Sequence, residues 1–307
     1  MNSFLVVTHL LNGLLMIAMP ILLGIFLARR FKLGWRLWWI GATTVILSQV
    51  GHIPFNIALG LLFERGFLPI PPETYQLAFT AIIAGLSAGV WEESFRYGAY
   101  RWWAKDARTW SKGLMLGTGW GGAEAIILGI LVLVNYAVMM AVQFGDLSTV
   151  FPEDQFALLG QQATIYWSLP WHITLLGALE RASTITIQIS LSIIVLQVFT
   201  RRNIAWLFLA IGWHALFDVA AVYLVQTYEA IITEAVLAGM AIISLLIIFA
   251  LRQPEPPQEE PEAIHPPTDF AGADIDTTYP TAENLEESKY LMKRTPWHTW
   301  RKVILAN

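Results

Sequence analysis

Cysteine is missing from all 307 residues, which excludes disulfides, thiolate nucleophiles and Cys-ligated metals and leaves the redox compartment unreadable. Charge is scarce as well. Asp, Glu, Lys and Arg make up 14% of the chain against 56% hydrophobic residues, and the mean hydropathy is +0.54. That balance is wrong for a soluble domain and fits a chain that lives in lipid. A basic leader and a small-residue cleavage site are also lacking at the start, so the first apolar run is expected to be a retained helix. No internal repeat is visible.

What the sequence has in quantity is long apolar runs. Seven windows are each long enough to cross roughly 30 Å of hydrocarbon as a helix: Phe4 to Ala28, Trp38 to Phe63, Leu77 to Trp103, Gly113 to Val142, Ile173 to Phe199, Ile204 to Gln226 and Ala230 to Leu251. The expected fold is an all-α, polytopic transmembrane bundle of about seven helices over residues 1–252. Residues 253–307 open with an acidic, proline-rich run (Pro254 to Glu262) that cannot bury enough apolar surface to fold, and end on a basic, aromatic stretch (Lys289 to Leu305). They are expected to form a disordered tail.

Basic residues cluster after the first window (Arg29, Arg30, Lys32, Arg36), the third (Lys105, Arg108, Lys112), the fifth (Arg201, Arg202) and the seventh (Arg252). The intervening loops carry Glu64 with Arg65, Glu73, Asp146, Glu153, Asp154 and Glu229. The positive-inside rule then predicts an outside N-terminus and a cytoplasmic C-terminus. Trp35, Trp38, Trp39, Trp102, Trp103, Trp110 and Trp206 fall on the basic side and read as an aromatic belt at that interface. Lipid is the expected surround, and nucleic acid is not an expected partner.

Against this background, Glu92 and Glu93 in the middle of the third window stand out. A charge at bilayer depth costs roughly 2.5–3.5 kcal/mol on insertion scales, so an intramembrane glutamate pair points to function. Glu92, Glu124 and His214 each lie about 11 residues from the basic end of their window, and Gln188 about 12, which is roughly 16 Å along a helix. Four segments thus bring polar groups to one level, and a shared site relieves the cost of all of them.

Helical spacing suggests an internal ion pair between Glu92 and Arg96, and a carboxylate at Asp218 that can orient His214 or share a ligand with it. Gly113, Gly117, Gly121 and Ala125 form a small-residue stripe beside Glu124. Glu180, Thr184 and Gln188 share a face, with Arg181 adjacent. Gln49, His52 and Asn56 make the second window polar, with a kink expected at Pro54.

The ordered combination of Glu92-Glu93-x-x-Arg96, the glycine-rich Gly117 to Ala125 carrying Glu124, Glu180-Arg181 and His214-x-x-x-Asp218 resembles the YhfC family of intramembrane metalloproteases, relatives of the CAAX-protease and bacteriocin-processing superfamily. The likeness runs from about Gln49 to Asp218. It implies peptide hydrolysis within a bacterial-type plasma membrane, with Glu92, Glu93 and Arg96 as the catalytic group around an activated water. It also implies a divalent metal, zinc, on Glu124, His214 and Asp218, with His52, Trp120, Glu180, Arg181 and Gln188 lining the site. The substrate would be a peptide or a membrane-protein segment.

The family pattern has histidines where this sequence has Trp120 and Gln188. The imidazole set is thereby reduced to His214, with Glu92, Glu93, Glu124 and Asp218 as oxygen donors. Two readings from other classes remain beside the protease. One is a catalytically degenerate membrane scaffold that binds a segment in the old groove. The other is a proton-coupled transporter, against which the lack of inverted repeats counts.

Overall fold

The computed structural model describes residues 3–145 and 152–254. The expected tail from Glu255 onward lies outside the described residues, as does Asp146. The described residues contain helices and no strand. Seven helices are long and apolar enough to cross a membrane: α1 (Ser3–Phe31), α2 (Arg36–Glu64), α3 (Glu73–Gly98, running on through a π-helical turn, Ala99–Trp103), α4 (Trp110–Phe144), α6 (Leu176–Thr200, preceded by the 3-10 turn Ile173–Leu175), α7 (Ala205–Thr227) and α8 (Ala230–Ala250). Each predicted window sits within its helix or overruns it by one residue. The helices extend past the apolar runs because the flanking Trp and Arg residues are good enough helix formers to continue the hydrogen-bonded ladder.

The eighth helix, α5 (Glu153–Ser168), is absent from the sequence reading. At 16 residues it is too short and too polar to span, so no hydropathy window reports it. It is pinned to the bundle by its C-terminal turn. Tyr166 stacks on the His9 ring at 3.8 Å between centroids, and Trp167 Nε1 donates to the Met139 carbonyl at 3.3 Å.

The core is organised around α6. Of its most apolar window 83% is buried, against 17–33% for the other six spans. Ser183, Ser190, Ser192 and Gln197 are buried on it alongside Ile and Leu, and hydroxyls such as Ser190 Oγ satisfy themselves on their own helix's carbonyls, here Ile187 at 2.7 Å. A helix polar in several directions has no face to offer lipid, so its neighbours surround it.

With no hydrophobic drive between helices in lipid, close backbone approach supplies the packing. α2 and α4 meet where a Cβ on Gly119 would lie 1.9 Å from the Trp38 carbonyl oxygen, and one on Gly41 would lie 2.2 Å from that of Leu116. The expected aromatic belt is thinner than predicted. Trp39, Trp102 and Trp103 are exposed, whereas Trp38 and Trp110 are buried in the core. Trp110 Nε1 donates to the Ile248 carbonyl at 2.8 Å, tying α4 to α8. α2 runs through Pro54 without interruption.

Candidate active site

Three close contacts at glycines set the position of the polar groups. A Cβ on Gly89 of α3 would meet the Ile211 carbonyl at 2.7 Å, so α3 lies directly against α7 and Glu93 reaches His214. A Cβ on Gly117 of α4 would meet Ile189 Cα at 2.7 Å, and one on Gly121 would meet Gln188 Cβ at 2.9 Å. α4 therefore presses onto α6 and brings Glu124 to Gln188.

The two adjacent glutamates have separate environments. Glu93 is fully buried: Oε2 accepts from Arg96 Nε at 2.9 Å, and Oε1 lies 2.8 Å from His214 Nδ1. Glu92 Oε1 accepts from Gln49 Nε2 at 3.0 Å, its Oε2 accepts from Trp120 Nε1 at 3.2 Å, and the same oxygen is 3.8 Å from His214 Nε2. The expected Glu92 to Arg96 pair is therefore replaced by a Glu93 to Arg96 pair at i,i+3. The reason lies on other helices, because the rest of the guanidinium is claimed by α6. Nη1 donates to the Gln188 carbonyl at 3.1 Å and to Ser192 Oγ at 2.5 Å, and Nη2 donates to Gln188 Oε1. Its flat face rests 3.9 Å from the Trp120 ring centroid. Each of the three guanidinium nitrogens of this fully buried arginine thus has a partner, which is the condition for holding such a charge out of water.

His214 is likewise held by a different acid from the one expected. Nδ1 sits on Glu93, while Asp218 Oδ2 stands 3.6 Å from Nε2, beyond hydrogen-bond range. An Arg-paired carboxylate only accepts, so Nδ1 carries a proton and Nε2 faces Glu92 and Asp218. Glu124 is engaged through Gln188, whose Nε2 donates to both carboxylate oxygens at 3.2 and 3.4 Å. Glu180 and Arg181 pair with each other, and Arg181 Nε is buried without a hydrogen-bond partner.

A cavity of about 530 Å³ opens among α2, α3, α4, α6 and α7. Glu92, Glu124, Glu180, Arg181, Gln188, His214 and Asp218 line it, together with Gln49 and Thr184. Glu93, Arg96, Trp120 and His52 stand behind that wall. Ile46, Ile127 and Leu128 at its rim are exposed on the outside of the bundle, so the cavity opens sideways between α2 and α4. Gln49, which grips Glu92, and Ser192, which grips Arg96, are the partners that the candidate site residues omitted. Gln49 lies one helical turn before His52 in the polar part of α2; Ser192 carries no signal beyond lying four residues after Gln188.

The metal set implied by the resemblance is not assembled. Among the described residues no group of three or more His, Asp or Glu side chains is disposed to hold a metal ion. The chemistry of the donors agrees. Trp120 and Gln188 point N–H groups at Glu92 and Glu124 and offer a metal no imidazole nitrogen. The residues do not fit a three-point metal centre.

The family model described as YhfC intramembrane metalloprotease matches residues 15–241. The "Uncharacterized membrane protein YhfC" of Bacillus subtilis (strain 168) is 31% identical over 246 residues, covering 78% of this chain and 92% of that protein. No solved structure matches. Seven apolar helices and a membrane relative of nearly equal extent make this an integral membrane protein in contact with lipid.

Proposed function

The chain belongs to the YhfC intramembrane metalloprotease family, and from that premise we propose that its lateral cavity hydrolyses a peptide bond in an apolar segment admitted from the lipid past Ile46, Ile127 and Leu128. The single observation that carries the reading is the division of labour in the glutamate pair. Glu92 reaches the cavity, while Glu93 is committed to Arg96 and His214. We place the basic end of the bundle, and with it the C-terminus, on the cytoplasmic side.

The family description implies a metal. Since the donors do not fit one, the steps use this chain's own groups. A water bonded to Glu92 and facing His214 Nε2 gives its proton to Glu92 while its oxygen forms a bond to the carbonyl carbon. The carbonyl oxygen becomes an oxyanion, and His214 stabilises it by donating from Nε2 when that nitrogen is protonated. Glu92 then returns the proton to the amide nitrogen, the C–N bond breaks, and an acid and an amine leave. Arg96 holds Glu93, and Glu93 holds the imidazole, so the pair is built into the site before substrate arrives.

The test is digestion of a library of apolar peptides by the full chain in lipid nanodiscs, read by mass spectrometry. Wild type should cleave and Glu92→Gln should lose about 10²–10⁴-fold in rate while remaining folded. Cleavage should survive a chelator. Loss on chelation and recovery with zinc would put a metal among Glu92, His214 and Asp218 and replace this mechanism. The second reading, capture without chemistry, is favoured by the engagement of both Glu124 oxygens by Gln188. Peptides that bind wild type and Glu92→Gln equally, with no product from either, would establish it.

A further inference from the structure

From Glu92 an unbroken series of polar side chains runs along α2, leaving the site cavity after Gln49. Gln49 Nε2 is 3.0 Å from Glu92 Oε1, His52 Nδ1 is 3.3 Å from Gln49 Oε1, and Asn56 Nδ2 is 2.9 Å from His52 Nε2. Ser87 of α3 closes the far end: its Oγ donates to Asn56 Oδ1 at 2.6 Å and also lies 3.0 Å from His52 Nε2. His52 is 9% exposed and does not line the site cavity. None of these groups takes part in the steps above.

We infer that His52 is a positioning residue for Glu92, acting through Gln49 as the middle link of a one-way hydrogen-bonded relay that begins at Ser87. The direction follows from a single charge. An ionised Glu92 only accepts, so Gln49 turns its NH₂ toward the carboxylate and its carbonyl oxygen toward His52. His52 must therefore carry its proton on Nδ1. Its Nε2 is left as an acceptor, and Asn56 fills it with an N–H. That in turn directs the Asn56 oxygen to the Ser87 hydroxyl. The discrimination lies on the Glu92 side: a ring protonated at Nε2 could give that proton to Ser87 Oγ, but it would set Nδ1 and Gln49 Oε1, two acceptors, face to face.

The relay also joins two regions that share no wall. Asn56 lines a second cavity of about 390 Å³ between α2 and α3, with Phe63, Phe79 and Thr80, whereas Gln49 lines the site cavity. A displacement of Asn56 in one is transmitted as a displacement of the carboxylate in the other. Carboxylate placement matters to catalysis, since misplacing a reacting group by about 1 Å can cost on the order of 10²-fold.

The turnover half of this inference rests on Glu92 serving as the base; the tautomer half does not. For the tautomer, full-length protein labelled with ¹⁵N-histidine is examined in nanodiscs by NMR, the His52 signals being identified by their loss in His52→Asn. The expected result is a neutral ring protonated at Nδ1 in wild type, and mixed tautomers in Glu92→Gln, whose amide can either donate to Gln49 or accept from it. A ring protonated at Nε2, or one indifferent to Glu92→Gln, overturns the relay whether or not any peptide is cleaved.

For turnover, the amide of asparagine reproduces the Nδ1 edge and that of glutamine the Nε2 edge. Using a peptide cleaved by wild type, His52→Asn should keep most of kcat. His52→Gln and His52→Leu should lose about tenfold or more with KM unchanged. Equal loss in His52→Asn and His52→Gln would reduce His52 to a packing residue. Absence of cleavage by wild type would instead sink the hydrolytic reading and leave the tautomer result standing.

Discussion

The two halves of α4 are built on different principles. From Trp110 to Ala125 nearly every residue is buried, the helix is dense in glycine, and its backbone touches those of α2 and α6. From Ile126 to Phe144 burial is confined to Gly129 and Met139, and Ile127, Ile130, Leu131, Val134 and Phe144 are exposed. α2 repeats the contrast. Its buried residues end at Ser48 and His52, and its last turns carry exposed Ile57, Leu61 and Leu62. Glu124 and Glu92 sit where the close-packed half gives way to the open one. A rigid floor fixes the carboxylates, and the less closely packed half borders the cavity they line.

The contrast predicts its own tests. The largest effect is expected at Gly119. Gly119→Val drives a branched side chain into the Trp38 carbonyl, where even a Cβ would be 1.9 Å away, and the loss should exceed about 5 kcal/mol, read as failure to recover monodisperse protein in detergent. Gly60→Ala, in the open half of α2 with nothing within 4 Å of the new Cβ, should be neutral or slightly stabilising because alanine favours helix. Similar damage from both would erase the distinction between the halves.

Next in size is Arg96→Met, which strands Glu93 in a fully buried position and should cost about 3–5 kcal/mol in thermal or denaturant unfolding. The double variant Arg96→Met, Glu93→Leu should recover part of that loss, since an apolar pair carries no desolvation penalty.

The smallest effect belongs to the solvent-facing rim of the rigid half. The guanidinium of Arg36, hydrogen-bonded to Asp106, holds that carboxyl below its ordinary value of 3.8. A carboxylate depressed by folding contributes stability above its unfolded pKa and loses it as the pH falls through the folded one. Asp106→Asn should therefore lower Tm slightly at pH 7, by less than about 1 kcal/mol equivalent for so exposed a pair. The gap should close as the pH drops below 3.8. A gap that widened in acid would reverse the assignment.

Much of the architecture is legible in the chain because lipid enforces it. Seven apolar runs must become seven helices, and the clusters at Arg29 to Arg36 and Lys105 to Lys112 mark one common end. α5 escapes that logic, since a short helix lying against the bundle needs no apolar run. At the site, the residues that meet were recognisable from their common depth, but their pairing was not. Arg96 can reach Glu92 or Glu93 equally well along α3; the choice is made by Gln188 and Ser192 on α6 and by His214 on α7. Trp120 reads in sequence as a poor ligand, and only the fold gives it two duties, its ring face on Arg96 and its ring nitrogen on Glu92.

His214 comes from α7, the last but one of the described helices, and it reaches its place by docking against Gly85 and Gly89 of α3. A ribosome must therefore have translated some seven-tenths of the 307 residues before the imidazole joins the glutamates already in the bilayer. Until then Glu92 and Glu93 lie in the bilayer without the ring nitrogen that Glu93 grips in the finished fold, and a chain that stops before α7 never acquires it.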